Sequence, residues 1–476
     1  MSSTTPTSFA SSELENVKRL PIMISLIIGA FFSILNETLL NIAFPKLMVE
    51  LNVTASTLQW LATSYMLIVG VLVPASALVM QWFTTRQMFL GAMTLFTVGT
   101  LISGIAPHFA ILLIGRMIQA AGTGLLMPVL MNTILVLYPL EKRGTAMGTL
   151  GLVMMFAPAI GPTLSGLILE SLHWRWLFFL VLPFAVFSIV FAFIYLKNVS
   201  EPTKPKIDII SVLLSTIGFG GFVYGFSGSE DGFTGIIVVS IIALILFVFR
   251  QMRLKEPLLD LRAFKYPMFA VTTVLLIVVM MTLFSTLSLL PFLFQGALGL
   301  TVFASGLLLL PGSFVNGLMS PVAGKLFDRF GPRVLVIPAT GMVVIIMWFF
   351  MQVTMNTSKI TFLVLHICLM FALSMIMMPA QTNGLNQLPP RYYPHGIAIL
   401  NTLSQIAGAI GVAFFIGVMT AGQHRFLEQS SDPSSPAEIS EGLVAGINNA
   451  FMYGFALACI AFVLALFIKR TQPPKE

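Results

Sequence analysis

The segment Pro321-Val-Ala-Gly324-Lys-Leu-Phe-Asp328-Arg329-Phe-Gly331-Pro-Arg333 has a counterpart 247 residues earlier, Pro74-Ala-Ser-Ala77-Leu-Val-Met-Gln81-Trp-Phe83-Thr-Thr-Arg86. Each closes a long apolar run and turns sharply into the next. Met127-Pro128 is echoed by Met378-Pro379, and Pro139 by Pro390, at a spacing of 251. Matching landmarks at matching places in successive apolar runs mean that the chain is built twice. The runs are continuous rather than alternating, which speaks against a β-barrel. Most are about the 20 residues that a helical span requires.

Composition agrees. Of 476 residues, 57% are hydrophobic and only 9% charged, with a mean hydropathy of +0.96. A soluble domain carries about 25% charged residues, so the water-soluble classes fall away. The chain has about fourteen apolar runs and no room for a soluble catalytic domain. We expect an inner N-terminal tail at 1–19, a first six-helix bundle at 20–200 and two inserted transmembrane helices at 201–260. A second six-helix bundle follows at 261–470, with an outer loop at 424–446 and a tail at 471–476. The polar start and Lys18-Arg19 ahead of the first run read as a retained span rather than a cleaved signal. Two parallel six-span repeats are a transporter architecture, with the solute site between them near the midplane.

The basic residues orient the chain. With the N-terminus inside, all of the 25 Lys and Arg lie on the inner side except Lys46, Arg116, Arg175, Lys359 and Arg425. Such asymmetry follows the positive-inside rule and supports an even number of spans. The net charge of +7 is then a matter of topology, and no nucleic-acid partner is expected. Cys368 and Cys459 sit within apolar runs, and the five His are scattered, so neither a disulfide framework nor a metal site is expected. No GxxxxGK[ST] loop is present, so ATP is not the energy source, and no enzymatic constellation appears.

Once loop charge is set aside, one acid and one base remain deep in apolar runs: Glu37 and Arg116. Intramembrane ionisable groups are costly and are functional by default. Counting 1.5 Å per residue, Glu37 lies roughly 24 Å from the inner face and Arg116 roughly 10 Å from the outer one. In a core of about 30 Å both belong to the outer half, within reach of each other. A carboxyl beside an arginine stays ionised, whereas a desolvated one prefers its proton. Two readings stand: Glu37 and Arg116 couple proton movement to transport, or they form a structural ion pair joining the first and fourth spans.

These segments resemble the major facilitator superfamily, specifically its 14-span drug:proton antiporter branch, over nearly the whole chain. Gly324 to Arg333 is close to the family's GxLaDrxGrr inner loop. Leu112-Leu-Ile-Gly-Arg116-Met-Ile-Gln119-Ala-Ala-Gly122-Thr-Gly124 is similar to the fourth-span RxxQGxG motif. Ala157-Pro158-Ala-Ile-Gly161-Pro162-Thr-Leu-Ser-Gly166 is similar to the fifth-span antiporter motif. Leu35-Asn36-Glu37-Thr38-Leu-Leu-Asn41-Ile-Ala-Phe-Pro45 is similar to the first-span LDxTxVNxALP signature. Within the family, the chain looks most like Gram-positive lincomycin and multidrug exporters.

The resemblance implies an all-α integral membrane protein of two six-helix bundles plus two inserted helices, fourteen spans in all. It implies proton-coupled efflux of hydrophobic or amphipathic drugs by alternating access, without a cofactor. It also implies a monomer in a bacterial cytoplasmic membrane with both termini inside. Pro158, Gly161, Pro162 and Gly166 would form a kink in the fifth span. Gly324, Asp328, Arg329, Gly331 and Arg333 would form the inner-gate loop, with Asp328 facing a helix N-terminus as a latch.

Two departures matter. The usual first-span Asp is Asn36 here, with the acid displaced to Glu37, about 100° around the helix. The first-half loop carries Gln81, Trp82 and Thr84 in place of the Asp, Arg and Gly of the motif, which leaves the latch to Asp328 and Arg333. Candidate substrate contacts are the polar residues within spans. In the first half these are Asn41, Gln59, Tyr65, Gln119 and Asn132; in the second they are Asn316, Gln381, Asn383, Asn401 and Gln405. Each competes with a role in joining helices. Met131, Met154, Met155 and Phe156 suit an adaptable apolar wall. Export of an endogenous lipid or metabolite is an alternative function, and a non-transporting membrane scaffold or sensor is a more distant one.

Overall fold

The computed structural model describes residues 19–196, 198, 208–227, 233–430 and 432–471. Among them there is helix and no strand. The first half comprises α1 (Arg19–Ile42), α2 (Ala55–Trp82), α3 (Thr85–Gly104), α4 (Phe109–Leu137), α5 (Leu140–Ser171) and α6 (Leu182–Tyr195). A short helix, Phe44–Leu51, follows α1, and a single turn, Trp176–Phe179, leads into α6. The inserted pair is α7 (Ile209–Ser215, continued through a π turn Thr216–Gly220 into Gly221–Ser227) and α8 (Phe233–Arg253). The second half comprises α9 (Pro267–Pro291, with a π turn Phe292–Ala297), α10 (Val302–Phe330), α11 (Arg333–Phe350), α12 (Lys359–Asn386), α13 (Tyr393–Glu428) and α14 (Pro436–Leu466).

Several helices start on side-chain caps that take up free backbone donors where loops are short. Thr54 accepts from Thr57 N, Thr301 from Ala304 N and Ser358 from Thr361 N. Thr84 and Gln87 form a reciprocal capping box at α3. Gly331 turns α10 into α11 at φ 80°, a conformation that favours glycine. The expected outer loop 424–446 is much shorter. α13 stays helical to Glu428 and α14 begins at Pro436, because proline is well suited to a first helical turn.

Among the described residues, twelve helices are long and apolar enough to cross a membrane, so the chain is a multi-pass membrane protein. The expected count of fourteen spans is not confirmed in full. α5 and α7 stand outside that set, and the side chains of residues 159, 162 and 163 in α5 and of residue 223 in α7 lie outside what the structure describes. α5 packs against α1, α10 and α12. α7 is irregular at its π turn, where Gly218 packs on Leu244 of α8 and Gly220 on Val71 of α2.

The halves meet along two seams, α5 with α10 and α12, and α2 with α13, while α4 also reaches α13. This is the pairing that a two-fold repeat demands, second helix of one half against fifth of the other. The inserted pair lies over the second seam, since α7 touches both α2 and α13. Arg250 holds Asp208 at 2.6 Å, and Trp60 of α2 meets Tyr224 of α7 at 5.6 Å between rings. The Arg250 bond, with Ser211 adding to it, holds the Asp208 carboxyl well below its ordinary range.

Residues 1–18 and 472–476 of the expected tails and the Lys-bearing stretch 199–207 lie outside the described residues.

Candidate transport site

Where α1, α2, α3 and α4 converge, the side chains of Asn36, Arg116, Gln119, Thr100, Tyr65 and Thr123 form one closed polar node, each nearly inaccessible. Asn36 Oδ1 accepts from Arg116 Nη1 at 3.2 Å and from Gln119 Nε2 at 2.8 Å. Arg116 Nη1 also donates to Gln119 Oε1 at 2.7 Å, and Gln119 Nε2 to Thr100 Oγ1 at 2.7 Å. Asn36 Nδ2 reaches the Leu177 carbonyl at 3.3 Å. The guanidinium carbon lies 4.3 Å above the Tyr65 ring, whose hydroxyl donates to Thr123 at 2.7 Å. A buried cation is tolerable only when hydrogen-bonded in this way.

Glu37 is not a member of the node. It is half-buried and makes no hydrogen bond or ion pair with another described side chain, although its charge acts on both Arg116 and Tyr65. A direct Glu37–Arg116 ion pair, the second of the two readings of these residues, is therefore not formed. The 100° step between neighbours on α1 gives Arg116 the neutral Asn36 instead and leaves the carboxylate beside the node. Asn36, Thr100 and Thr123 were not among the candidates read from the sequence. Asn36 read as a lost acid, and an intramembrane Thr gives no signal, since most simply bond their own helix. Replacing Asn36 with Leu should strand the Arg116 and Gln119 donors. A loss of about 1–3 kcal/mol, read as earlier thermal unfolding in detergent, is the expected result.

Behind Glu37, α1 meets α5. Ser165 Oγ donates to the Leu39 carbonyl at 2.7 Å, and Gly161 leaves the space that Thr38 fills. Of the antiporter-motif residues, Gly161 serves close approach, while Gly166 faces open space. α5 stays helical through Pro158 and Pro162.

Near the end of α10, Asp328 bonds across the α5–α10 seam. Its Oδ1 accepts from Gly144 N at 2.8 Å, and its Oδ2 from Thr145 N at 2.8 Å and Thr145 Oγ1 at 2.6 Å. Gly144 and Thr145 are the fifth and sixth residues of α5, so the acid meets the helix just past its first turn through charge-assisted hydrogen bonds. Arg333 is exposed and outside this contact, and Arg329 stacks on its neighbour Phe330. Of the two residues expected to form a latch, Asp328 makes this contact and Arg333 does not, and Arg470 donates to the Asp328 carbonyl at 3.0 Å. Gly324 allows the backbones of α5 and α10 to touch at Gly144.

The other seam has a neutral version of the same device. Gln81, the repeat counterpart of Asp328, lies 3.3 Å from His395 Nε2 near the start of α13. The first-half loop has thus kept a contact there despite losing its acid. On the α5 side, Arg143 bonds Asn386 of α12 at 3.1 Å and the Tyr393 hydroxyl of α13 at 2.9 Å.

The remaining substrate candidates separate. Gln381 and Asn401 both reach Met131 Sδ across the halves, at 3.8 and 3.7 Å, and form a thioether–amide cluster between α4, α12 and α13. Tyr65 and Gln119 belong to the node. Asn316 ties α10 to α12 through the Met370 carbonyl at 2.8 Å. Asn383 anchors the C-terminal segment, donating to the Lys469 carbonyl at 3.0 Å and accepting from Thr471. Asn132 is buried near Met80 and Phe83, and Gln405 is exposed. The side chains of Asn41, Gln59 and Pro162 lie outside what the structure describes. Among the described residues, no cluster of His, Cys, Asp or Glu could hold a metal ion.

Comparison with known proteins agrees with this architecture. The sequence profile described as Major Facilitator Superfamily matches residues 26–412. The chain is 52% identical over 466 residues to the lincomycin resistance protein LmrB of Bacillus subtilis, covering 96% of this chain and 97% of that one. It is 26% identical to the multidrug transporter protein MdtP of the same organism, covering 90% and 81%. Among solved structures, the human organic anion transporter MFSD10 (TETRAN) superposes with a TM-score of 0.65 at 14% identity, over 94% of this chain and 99% of that one. That structure shares the fold. Matched along most of its length and related end to end to a transporter of known family, the chain belongs to the Major Facilitator Superfamily as a membrane transporter of small molecules, not an enzyme.

Proposed function

We propose that the protein exports amphipathic drugs, lincosamides among them, from the cytoplasm of a bacterium in exchange for protons. It works as a monomer in the cytoplasmic membrane, with both termini inside and no cofactor. The two halves rock about the drug, with Asp328 and the Gln81–His395 contact closing the inner side and Gln381, Asn401 and Met131 contributing to the drug pocket. The observation that carries proton coupling is Glu37, the lone acid deep in an apolar run, which makes no hydrogen bond or ion pair with another described side chain and sits one residue from Asn36, the partner of Arg116. A carboxyl so placed can exchange its proton as water access changes, while the node holds Arg116 fixed. If one net charge enters per drug expelled, the membrane potential contributes roughly 2.3 kcal/mol per 100 mV. That corresponds to about a fifty-fold concentration ratio.

Inverted membrane vesicles with an imposed pH gradient test the reading. Lincomycin or an amphipathic dye should accumulate, and an uncoupler should release it. Accumulation that ignores the gradient would remove proton exchange. Failure of every drug, set against uptake of a lipid or metabolite, would favour the endogenous-solute alternative.

A further inference from the structure

His366 is buried in α12 at 1% exposure, and neither ring nitrogen completes a hydrogen bond, although the Leu309 carbonyl of α10 lies beside it. Native proteins seldom leave both nitrogens of a buried imidazole unpaired. Its position in the repeat is informative. Arg116 follows Phe109, the first residue of α4, by seven positions, and His366 follows Lys359, the first residue of α12, by the same seven. Tyr65, on which Arg116 stacks, corresponds at the 247-residue spacing to Gly312 of α10. Gly312 is the residue against which His366 packs: a Cβ there would collide with the imidazole Cδ2 and come within 2.8 Å of Nε2. The imidazole thus occupies the room that the first half gives to the arginine–tyrosine contact.

We propose that His366 is a second proton-binding site of the transport cycle, placed in the second half where the first half holds Arg116 on Tyr65. The inference rests on the proton-exchange reading above. Imidazole in water changes charge between pH 5 and 8, and burial disfavours its charged form, so a proton is taken up at His366 only when a movement of α10 against α12 admits water to the ring. The surrounding helices bring no competing charge to it. Ionisable groups of the elements packed on α12 stand near helix ends: Glu141, Lys142, Arg143 and Glu170 on α5; Lys325, Asp328 and Arg329 on α10; Arg333 on α11; Tyr393, His395, His424, Arg425 and Glu428 on α13; none on α9. On α12 itself the others are Lys359 and Cys368. None acts electrostatically on the ring. α10, which His366 touches, is the helix whose inner end carries Asp328. A proton taken up at His366 therefore bears on the element that closes the inner seam.

The test uses the full chain in liposomes, with ethidium as a probe whose charge does not change with pH. The rate of pH-driven ethidium transport is measured from pH 5.5 to 8, beside ethidium–ethidium exchange at equal pH. In His366→Gln and His366→Phe, exchange should persist, and the dependence of driven transport on proton concentration should fall by one order. Phe preserves the shape and removes the unpaired nitrogens, so a purely structural role would leave its pH profile unchanged. An unaltered profile in both variants, with a pH-dependent wild type, overturns this inference alone. A wild type indifferent to pH overturns proton coupling together with it.

Discussion

Glu37→Gln is expected to abolish pH-driven accumulation, taking a ratio of about fifty towards unity, while drug–drug exchange at equal pH continues. The substitution preserves size and removes the titration. The structural alternative predicts something different and measurable. Breaking a buried ion pair costs about 3–5 kcal/mol, which would show as marked thermal destabilisation. No such pair exists, because Arg116 bonds Asn36 and Gln119. The Glu37→Gln variant should therefore unfold close to the wild-type temperature. Driven accumulation surviving in the variant would sink the coupling role. Loss of both accumulation and stability would return Glu37 to a structural one.

The second large effect lies at the α5–α10 seam. Gly144, Gly148 and Gly151 recur at helical spacing on α5, and each meets α10. At Gly148 an added Cβ would strike the Ser320 carbonyl and approach Pro321 Cα at 2.9 Å. Both are backbone atoms and cannot step aside. Gly148→Leu should therefore prevent the inner side from closing and reduce transport at least about a hundred-fold, an amount that a barrier of some 2.7 kcal/mol supplies. The protein should still fold, because each half packs without this contact. A cysteine placed at Asn386, beside the inner mouth, should then react faster with an impermeant maleimide in inverted vesicles. Unchanged transport with unchanged labelling would show that the seam can open at no cost.

Much of this was legible in the residues. Hydropathy located the spans because lipid exposure enforces it, and the repeat pointed to two halves. The inner latch was readable because Asp328 has no reason to sit in a basic turn except to meet a helix end. The failures share a cause, namely that side-chain direction is invisible to a count of depth. Glu37 and Arg116 were read as close in depth, and Arg116 does bond the residue next to Glu37, yet one step around α1 exchanged the acid for Asn36. Asn383 resembled a pocket residue because it is polar within an apolar run, but it lies at the inner end of α12 and holds the chain terminus. Gln81 read as a loss because the motif expects charge, whereas a neutral amide suffices opposite an imidazole.

The inserted pair gives the molecule unequal flanks. α7 stands across the α2–α13 seam, and Asp260, beyond α8, is bonded through its backbone to His395, at 3.2 Å. The opposite seam, along α5 and α10, has no such cover from the inserted helices. Under the proposed function, a drug dissolved in the inner leaflet meets a braced side, where parting the halves must also disturb α7, and a side held by the Asp328 and Arg143 contacts. The arrangement resembles a door with a hinge stile and a latch stile. Solutes that partition into lipid would be admitted laterally past the latch, so that access to the site is directional within the plane of the bilayer.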